Sequence, residues 1–388
     1  MTEAAPHSAG PAPMPVDLMI ESTGGGSVRH VMDLFDALRA RGRDARLIVS
    51  TLRSEQPFLD WLAGVDPARV IRLDLRRGPH PSDLAALRTL RRTLAGGGRG
   101  RLLHAHSTKA GFIGALAGGL YGGALFTPHA YRGMDPTLRP AQRRALRTIE
   151  YALSRPYARI VAVSPEERDY AADIGLDPSR LRYVPNGVDI AAIAAAAGTP
   201  RPRAEAGPAI GFAGRMVHQK NPLAFVEAFA LVRAQRPDAR AVMIGEGDLE
   251  PEVDAAIARL GLGGAVTRLG HVNLVERLHD MDVMIHTSRY ESLPYVLREV
   301  CAVGLPVISV RNAGSEAIFG SEADLVAESS DAPGIARRIL AFLASPEAAS
   351  AARAESLAAG RRFSIETMVD AIEGLYAETG AGSLRRAA

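Results

Sequence analysis

The chain has 388 residues, 47% apolar and 23% charged, enough to bury the cores of two or three domains. A single cysteine, Cys301, excludes an internal disulfide framework and fits a reducing compartment. A net charge of +3 and an aromatic share of 5% are too low for a basic, aromatic-interleaved nucleic-acid surface, so no nucleic-acid partner is expected despite a pI near 9.2.

Residues 1–15 are rich in Ala and Pro, lack the basic start and apolar run of a secretory signal, and are expected to form a disordered tail. No apolar run reaches the roughly 18 residues of a membrane span, so a cytoplasmic protein is expected. Val16–Glu21 reads as a buried strand and Val28–Arg41 as a helix. The turn between them, Ser22–Ser27, carries Gly25 and Gly26, which allow a ligand to approach the backbone closely. It is not a dinucleotide fingerprint, because Arg29 stands where the third glycine would fall.

Strand and helix then alternate through Arg46–Thr51, Gln56–Ala63, Val70–Leu75, Pro81–Leu94 and Leu102–His106. Such alternation predicts a parallel sheet wrapped by helices, with ligands at the carboxyl ends of strands. Two of those ends carry chemistry. His106, Ser107 and Lys109 follow one strand, and His129 follows the next at Leu125–Ala130. The His104/His106 pair has the look of a metal site, yet no third or fourth ligand is near in sequence, so no metal is expected. Lysine occurs only at Lys109 and Lys220, either as leftovers of a bias towards arginine or because a compact ammonium is wanted beside a phosphate or sugar where a guanidinium fork will not fit.

Arg139–Pro156 is a basic helix with Leu146, Ile149 and Leu153 at helical spacing. It is either a solvated face or a surface for peripheral contact with the inner face of an anionic cytoplasmic membrane. Ile160–Ser164 and the segment from Leu181 read as strands, and Val184–Asp189 is a structural turn. Residues 191–208 lack periodicity and are expected to be a linker between domains at 16–190 and 209–362, with a final helix and tail at 363–388.

The pattern restarts at the strand Ala209–Gly214. Arg215 and Lys220 then place two cations on one strand-to-helix turn, either solvated charges or a fork and an ammonium for the two halves of a diphosphate. Asp280 and Asp282 precede a buried strand and read as structural rather than metal-binding. From Val283 to Ile308 the chain reads as strand, polar turn, a helix with Pro294 in its first turn and Gly304 at its end, and strand. The N–H groups after Ser292 suit an anion, and Glu299 can accept from two neighbouring hydroxyls, as on a ribose. Glu291 would meet whatever lies beyond the phosphates. The same spacing also suits two surface glutamates of an ordinary βαβ unit.

Glu291-Ser292-Leu293-Pro294, Glu299, the run Ala302–Ile308, Gly214-Arg215 with Lys220, and Val184–Asp189 together resemble the signature of family 4 glycosyltransferases. The resemblance covers nearly the whole chain after residue 15. It implies an α/β GT-B fold: two doubly wound, Rossmann-like parallel-sheet domains facing across a cleft, with a C-terminal helix crossing back to the first. It further implies retaining transfer of a sugar from a UDP- or GDP-linked donor to a hydroxyl acceptor. That acceptor would be a glycan or a lipid-linked intermediate of bacterial surface-polysaccharide synthesis, and no metal or other cofactor would be needed. Carried over to this chain, Arg215 and Lys220 would stabilise the diphosphate, Glu291 would hold sugar hydroxyls, and His129 would face the transferred sugar. Glu299 would bind the ribose, with Ser292 and Leu293 at the helix start. Gly25 and Gly26 would lie at the cleft edge, His106 beside the donor, and Lys109 towards the acceptor. Gly214, Gly245 and Val272 would line the base and phosphate pocket. Glu316 would reach the donor's far end, in a turn, Asn312–Glu316, where the family more often has two glycines. Two other readings are a nucleotide-sugar 2-epimerase or hydrolase of the same fold, and a non-catalytic basic polyanion binder.

Overall fold

The computed structural model describes residues 13–21, 25–76, 78–95, 100–135, 138–199, 207–291, 293–321, 323–326, 328 and 330–387. The chain divides into two compact units. One comprises residues 1–185 with 368–388, the other residues 186–367.

In the first unit seven parallel strands are ordered β3-β2-β1-β4-β5-β6-β7. They are β1 Val16–Ile20, β2 Ala45–Val49, β3 Val70–Arg72, β4 Leu102–His106, β5 Gly123–Thr127, β6 Arg159–Ala162 and β7 Leu181–Tyr183. The central strands are apolar runs buried on both faces, as a helix-covered parallel sheet requires. Helix Gly25–Ala40 buries Val28, Val31, Leu34, Phe35 and Leu38, a stripe at the three-to-four residue spacing of one helix face. Register sets Ile20 opposite His106 and His106 opposite Thr127. β1, β4 and β5 therefore end at one level of the sheet.

The second unit has five parallel strands in the order β10-β9-β8-β11-β12. They are β8 Ala209–Ala213, β9 Arg240–Ile244, β10 Val266–Arg268, β11 Val283–His286 and β12 Val307–Ser309. Its main core packs helix Pro222–Gln235 and helix Ala332–Ala344 against the sheet through Phe225, Phe229, Val232, Ile335 and Ile339. In both units the strand order reverses beside the first strand, between β1 and β4 and between β8 and β11, where open α/β sheets leave a crevice for ligands.

The structure corrects the expected linker. Residues Ile190–Ala197 form a helix capped by Asp189, whose carboxylate accepts from Ala192 N–H at 2.8 Å, and Ile193 is buried with Val188, Leu278 and Val300. The division falls earlier, between Pro185 and Asn186. Alanine is the strongest helix former but leaves no apolar–polar period to read. Val188 exchanges backbone hydrogen bonds with Phe363 and Ile365 at 2.8 and 2.9 Å, which gives the Val184–Asp189 string a structural task. Helix Ile365–Ala387 begins in the second unit and belongs to the first from Met368. There Tyr376 hydrogen-bonds His104 Nδ1 at 2.8 Å, and Glu373 pairs with Arg41 and Arg43.

Candidate active site

In the second unit the crevice between β8 and β11 is built by two stitched loops. The turn after β8 runs from Gly214 to Asn221, and its Lys220 and Asn221 carbonyls accept from Thr287 Oγ1 at 2.9 and 3.0 Å. Arg289 N–H donates to Gln219 O at 2.8 Å, and Gln219 Nε2 donates to Tyr290 O at 3.1 Å. The two loops thereby meet at one ion pair, Lys220 Nζ with Glu291 Oε1, whose side chains are 15% and 10% exposed. Arg215 is exposed on the same turn; its carbonyl accepts from Val217 N–H at 2.8 Å, and no described residue hydrogen-bonds or pairs with its guanidinium.

Two glycines permit this geometry. Gly245 has φ +122°, and a Cβ there would lie 2.1 Å from Gly214 O, so the turns after β8 and β9 touch through bare backbone. A Cβ on Gly314 would fall 2.7 Å from Glu291 Cβ and 2.8 Å from Pro294 Cδ. Gly314 is thus the residue that lets the Glu291 loop close against helix Ala313–Phe319, although Ala313 occupies the neighbouring position.

Helix Tyr295–Ala302 starts one residue later than expected, with Pro294 as its N-cap. Glu299 is buried on it, and the fully buried Arg298 anchors its start by donating to Asn186 O and, at 3.2 Å, to Leu293 O, with the guanidinium 3.8 Å from the centre of the Tyr295 ring. Ser292 lies outside the described residues. Val272 packs at the edge of the cluster around Val300 and Leu305, and Glu316 pairs with Arg311 at 2.6 Å. Asp282 accepts from Ala209 N–H at 2.7 Å and Asp280 pairs with Arg277, both structural contacts. Cys301 is buried, and desolvation pushes its thiol up to about 12, as befits a core residue.

In the first unit imidazoles gather at the β1/β4 reversal. His106 ends β4, His129 follows β5, and His30 reaches them from helix Gly25–Ala40. His106 Nδ1 and His129 Nε2 are 3.1 Å apart. His104 lies against His106 with ring centres 4.1 Å apart and uses both of its own nitrogens, on Tyr376 and on Thr127 Oγ1 at 2.8 Å. Burial, reinforced by the neighbouring rings, holds His104, His106 and His129 well below the usual imidazole range, so all three are neutral at pH 7.

Backbone strain gathers at these same places. Among the described residues the non-glycine positions with positive φ are Ser107, His129, Ala130 and Asn221, all on turns that follow β4, β5 or β8. Such conformations persist only where their surroundings impose them. For His129 and Ala130 the surroundings include Glu167, a buried carboxyl that accepts from Ala130 N–H and Val163 N–H, each at 2.7 Å. Desolvation pushes that carboxyl up to about 7.

Lys109 departs from expectation. Its ammonium is buried and donates to Asp83 and to Gly78 O, each at 2.6 Å, so it ties two segments of the first unit together rather than facing an acceptor. Gly25 and Gly26 begin the helix instead of preceding it; the turn before them, 22–24, is outside the described residues. His30, His286 and Glu167 went unnoticed in sequence because each sits inside a regular element with no motif around it. His286 bonds Ser309 Oγ at 2.9 Å beneath Lys220, and burial with the Lys220 charge takes it down to about 3.

Residues 25–187 match a model described as a glycosyl transferase 4-like domain, and residues 200–357 match that of group 1 glycosyl transferases. Together they span most of the chain. The chain belongs to the family 4 GT-B glycosyltransferases. This glycosyltransferase is 28% identical over 336 residues to the D-inositol 3-phosphate glycosyltransferase of Arthrobacter sp. strain FB24, covering 78% of each chain. It is 26% identical over 236 residues to the Escherichia coli UDP-Gal:alpha-D-GlcNAc-diphosphoundecaprenol alpha-1,3-galactosyltransferase, covering 58% of this chain and 61% of that one. Its fold matches Anabaena HepE, solved with UDP and glucose, at a TM-score of 0.70 and 18% identity, over 94% of this chain and all of the other. The enzyme is of the hexosyltransferase type.

Proposed function

We propose that the enzyme moves a sugar, with retention of configuration, from a UDP- or GDP-linked donor to a hydroxyl on a glycan or lipid-linked intermediate of surface-polysaccharide synthesis, without a required metal. UDP is the favoured nucleotide, since the E. coli relative is named for a UDP-sugar and HepE was solved with UDP. The observation that carries the reading is the Lys220–Glu291 pair at the β8/β11 reversal, beside the exposed Arg215.

As the anomeric bond breaks, negative charge grows on the diphosphate and positive charge on the sugar ring. Arg215 and Lys220 offer fixed cations to the first. Lys220 already neutralises Glu291, so the pair is a preformed dipole with its acceptor end available to sugar hydroxyls. Glu299, buried on helix Tyr295–Ala302, suits the ribose diol, and His129 is assigned to the transferred sugar on the family resemblance. Neutral at pH 7, its imidazole accepts or donates a hydrogen bond without competing for the diphosphate.

Glu291→Gln keeps the size of the side chain and removes the charge. It should lower turnover of UDP-sugar by about 100-fold or more while UDP affinity changes little, measured by product formation and calorimetry. Equal losses in both would reject the role of Glu291. Release of free sugar or a C2 epimer in place of acceptor glycosylation would reject transfer itself.

A further inference from the structure

The fold supplies the third histidine that the local sequence lacks. One ring nitrogen from each of His30, His106 and His129 lies within 4.8 Å of the others. We propose that these three imidazoles form a binding site for one divalent transition-metal ion of the zinc or cobalt type, and that filling it inhibits sugar transfer.

The geometry is close to what such an ion takes. Zinc–nitrogen bonds near 2 Å put the ligand atoms of a tetrahedron about 3.3 Å apart. His106 Nδ1 and His129 Nε2 share a hydrogen bond at 3.1 Å, a spacing that an ion would keep on displacing the shared proton. The three ligands come from separate elements, the helix Gly25–Ala40 and the ends of β4 and β5, all fixed by the sheet. His106 is fully buried, and its Nε2 has no hydrogen-bond partner among the described residues, so a ring proton placed there leaves Nδ1, the nitrogen facing His129, as the ligand. His104 supports rather than ligates, because Tyr376 and Thr127 occupy both of its nitrogens while its ring backs His106.

Chemistry sets the class of ion. Three imidazoles with no carboxylate favour zinc, cobalt, nickel or copper over magnesium or calcium, and leave one position for water or an anion. Burial holds His106 and His129 neutral, which is the ligating form. His129 is half-buried and gives the ion a way in. An ion on His129 withdraws the nitrogen assigned to the sugar. The inhibition therefore rests on that assignment, whereas the binding does not.

The test uses untagged, chelator-stripped enzyme titrated with Co2+ alone, read by visible absorption and calorimetry. One ion per chain is expected, with ligand-field bands. Affinity should fall at least about tenfold in each of His30→Gln, His106→Gln and His129→Gln, and stay unchanged in His80→Gln, an exposed histidine. UDP affinity and thermal unfolding identify variants that fail to fold; if His106→Gln does, the other two decide. Absent bands, or an affinity that survives His30→Gln and His129→Gln in folded protein, overturn the site. Saturating Zn2+ should cut turnover at least about tenfold and leave UDP affinity intact. Full turnover with the ion bound would overturn the inhibition and the sugar role of His129 together, while the cobalt titration would still stand for the site.

Discussion

Both lysines of this arginine-rich chain sit in carboxylate pairs with little exposure, Lys109 with Asp83 and Lys220 with Glu291. A compact ammonium fits such sites where a planar fork needs more room. Counting residues showed that the two lysines were unusual. It did not show what each one faces: Lys220 meets Glu291 on the loop after β11, Lys109 meets Asp83 at the start of a helix, and only the fold separates them. Histidines show the same limit. His106 and His129 stand at readable strand ends, but His30 and His286 are hidden in a helix and a strand. Their burial has a measurable consequence. His104, His106, His129 and His286 have folded values below the unfolded imidazole, so their contribution to stability is whole above about pH 6.5 and is lost as pH falls, when the unfolded chain takes up protons that the folded chain refuses. Each ring adds a slope of about 1.4 kcal/mol per pH unit. Glu167, raised to about 7, acts in the opposite sense by one proton between its unfolded value and that pH. Urea unfolding should therefore show stability falling from pH 7 to pH 5.5 with a net uptake of more than one proton, and a flat profile would contradict the buried neutral cluster.

At the scale of elements, strands were the most readable feature, because buried parallel strands are mostly apolar runs bounded by turns: Leu102–His106 and the Val283–His286 strand stand where expected, histidines included. Helix ends and faces were less so. Helix Ile190–Ala197 left no period, and the basic helix, Pro140–Ser154, turns a different face inward from the one its leucines suggest. Its buried residues are Glu150 and Ser154, with Glu150 held by Gly133 N–H at 3.0 Å and Tyr170 OH at 2.5 Å, while Ile149 is 51% exposed. Polar partners for Glu150 were contributed by distant segments, which no local pattern reveals. An exposed isoleucine among arginines motivates a test of this face against an anionic bilayer. Vesicles containing phosphatidylglycerol should co-sediment the enzyme, and Arg144→Glu with Ile149→Glu should weaken that binding about tenfold. Binding unaffected by the pair would assign this face to solvent.

For the molecule as a whole, each unit repeats one plan: a doubly wound sheet whose order reverses beside its first strand, with the candidate site residues on or near the turns at that reversal. The first unit places histidines there and the second places Arg215, Lys220 and Glu291. Alternation of elements foretold the plan, and the strand-to-helix turn that carries Arg215 and Lys220 was legible from the strand before it and Pro222 after it. The first site was only half foretold, because its four rings come from three distant stretches of chain that only strand order assembles. The central claim is that the nucleotide diphosphate is held by the second unit alone. Calorimetric titration with UDP tests it directly. Arg215→Ala and Lys220→Ala should each weaken UDP by about tenfold or more, the loss of a charge-assisted contact, and His129→Ala should leave the affinity unchanged. Undiminished affinity in the first two variants, with a loss in the third, would place the nucleotide in the first unit and contradict the account.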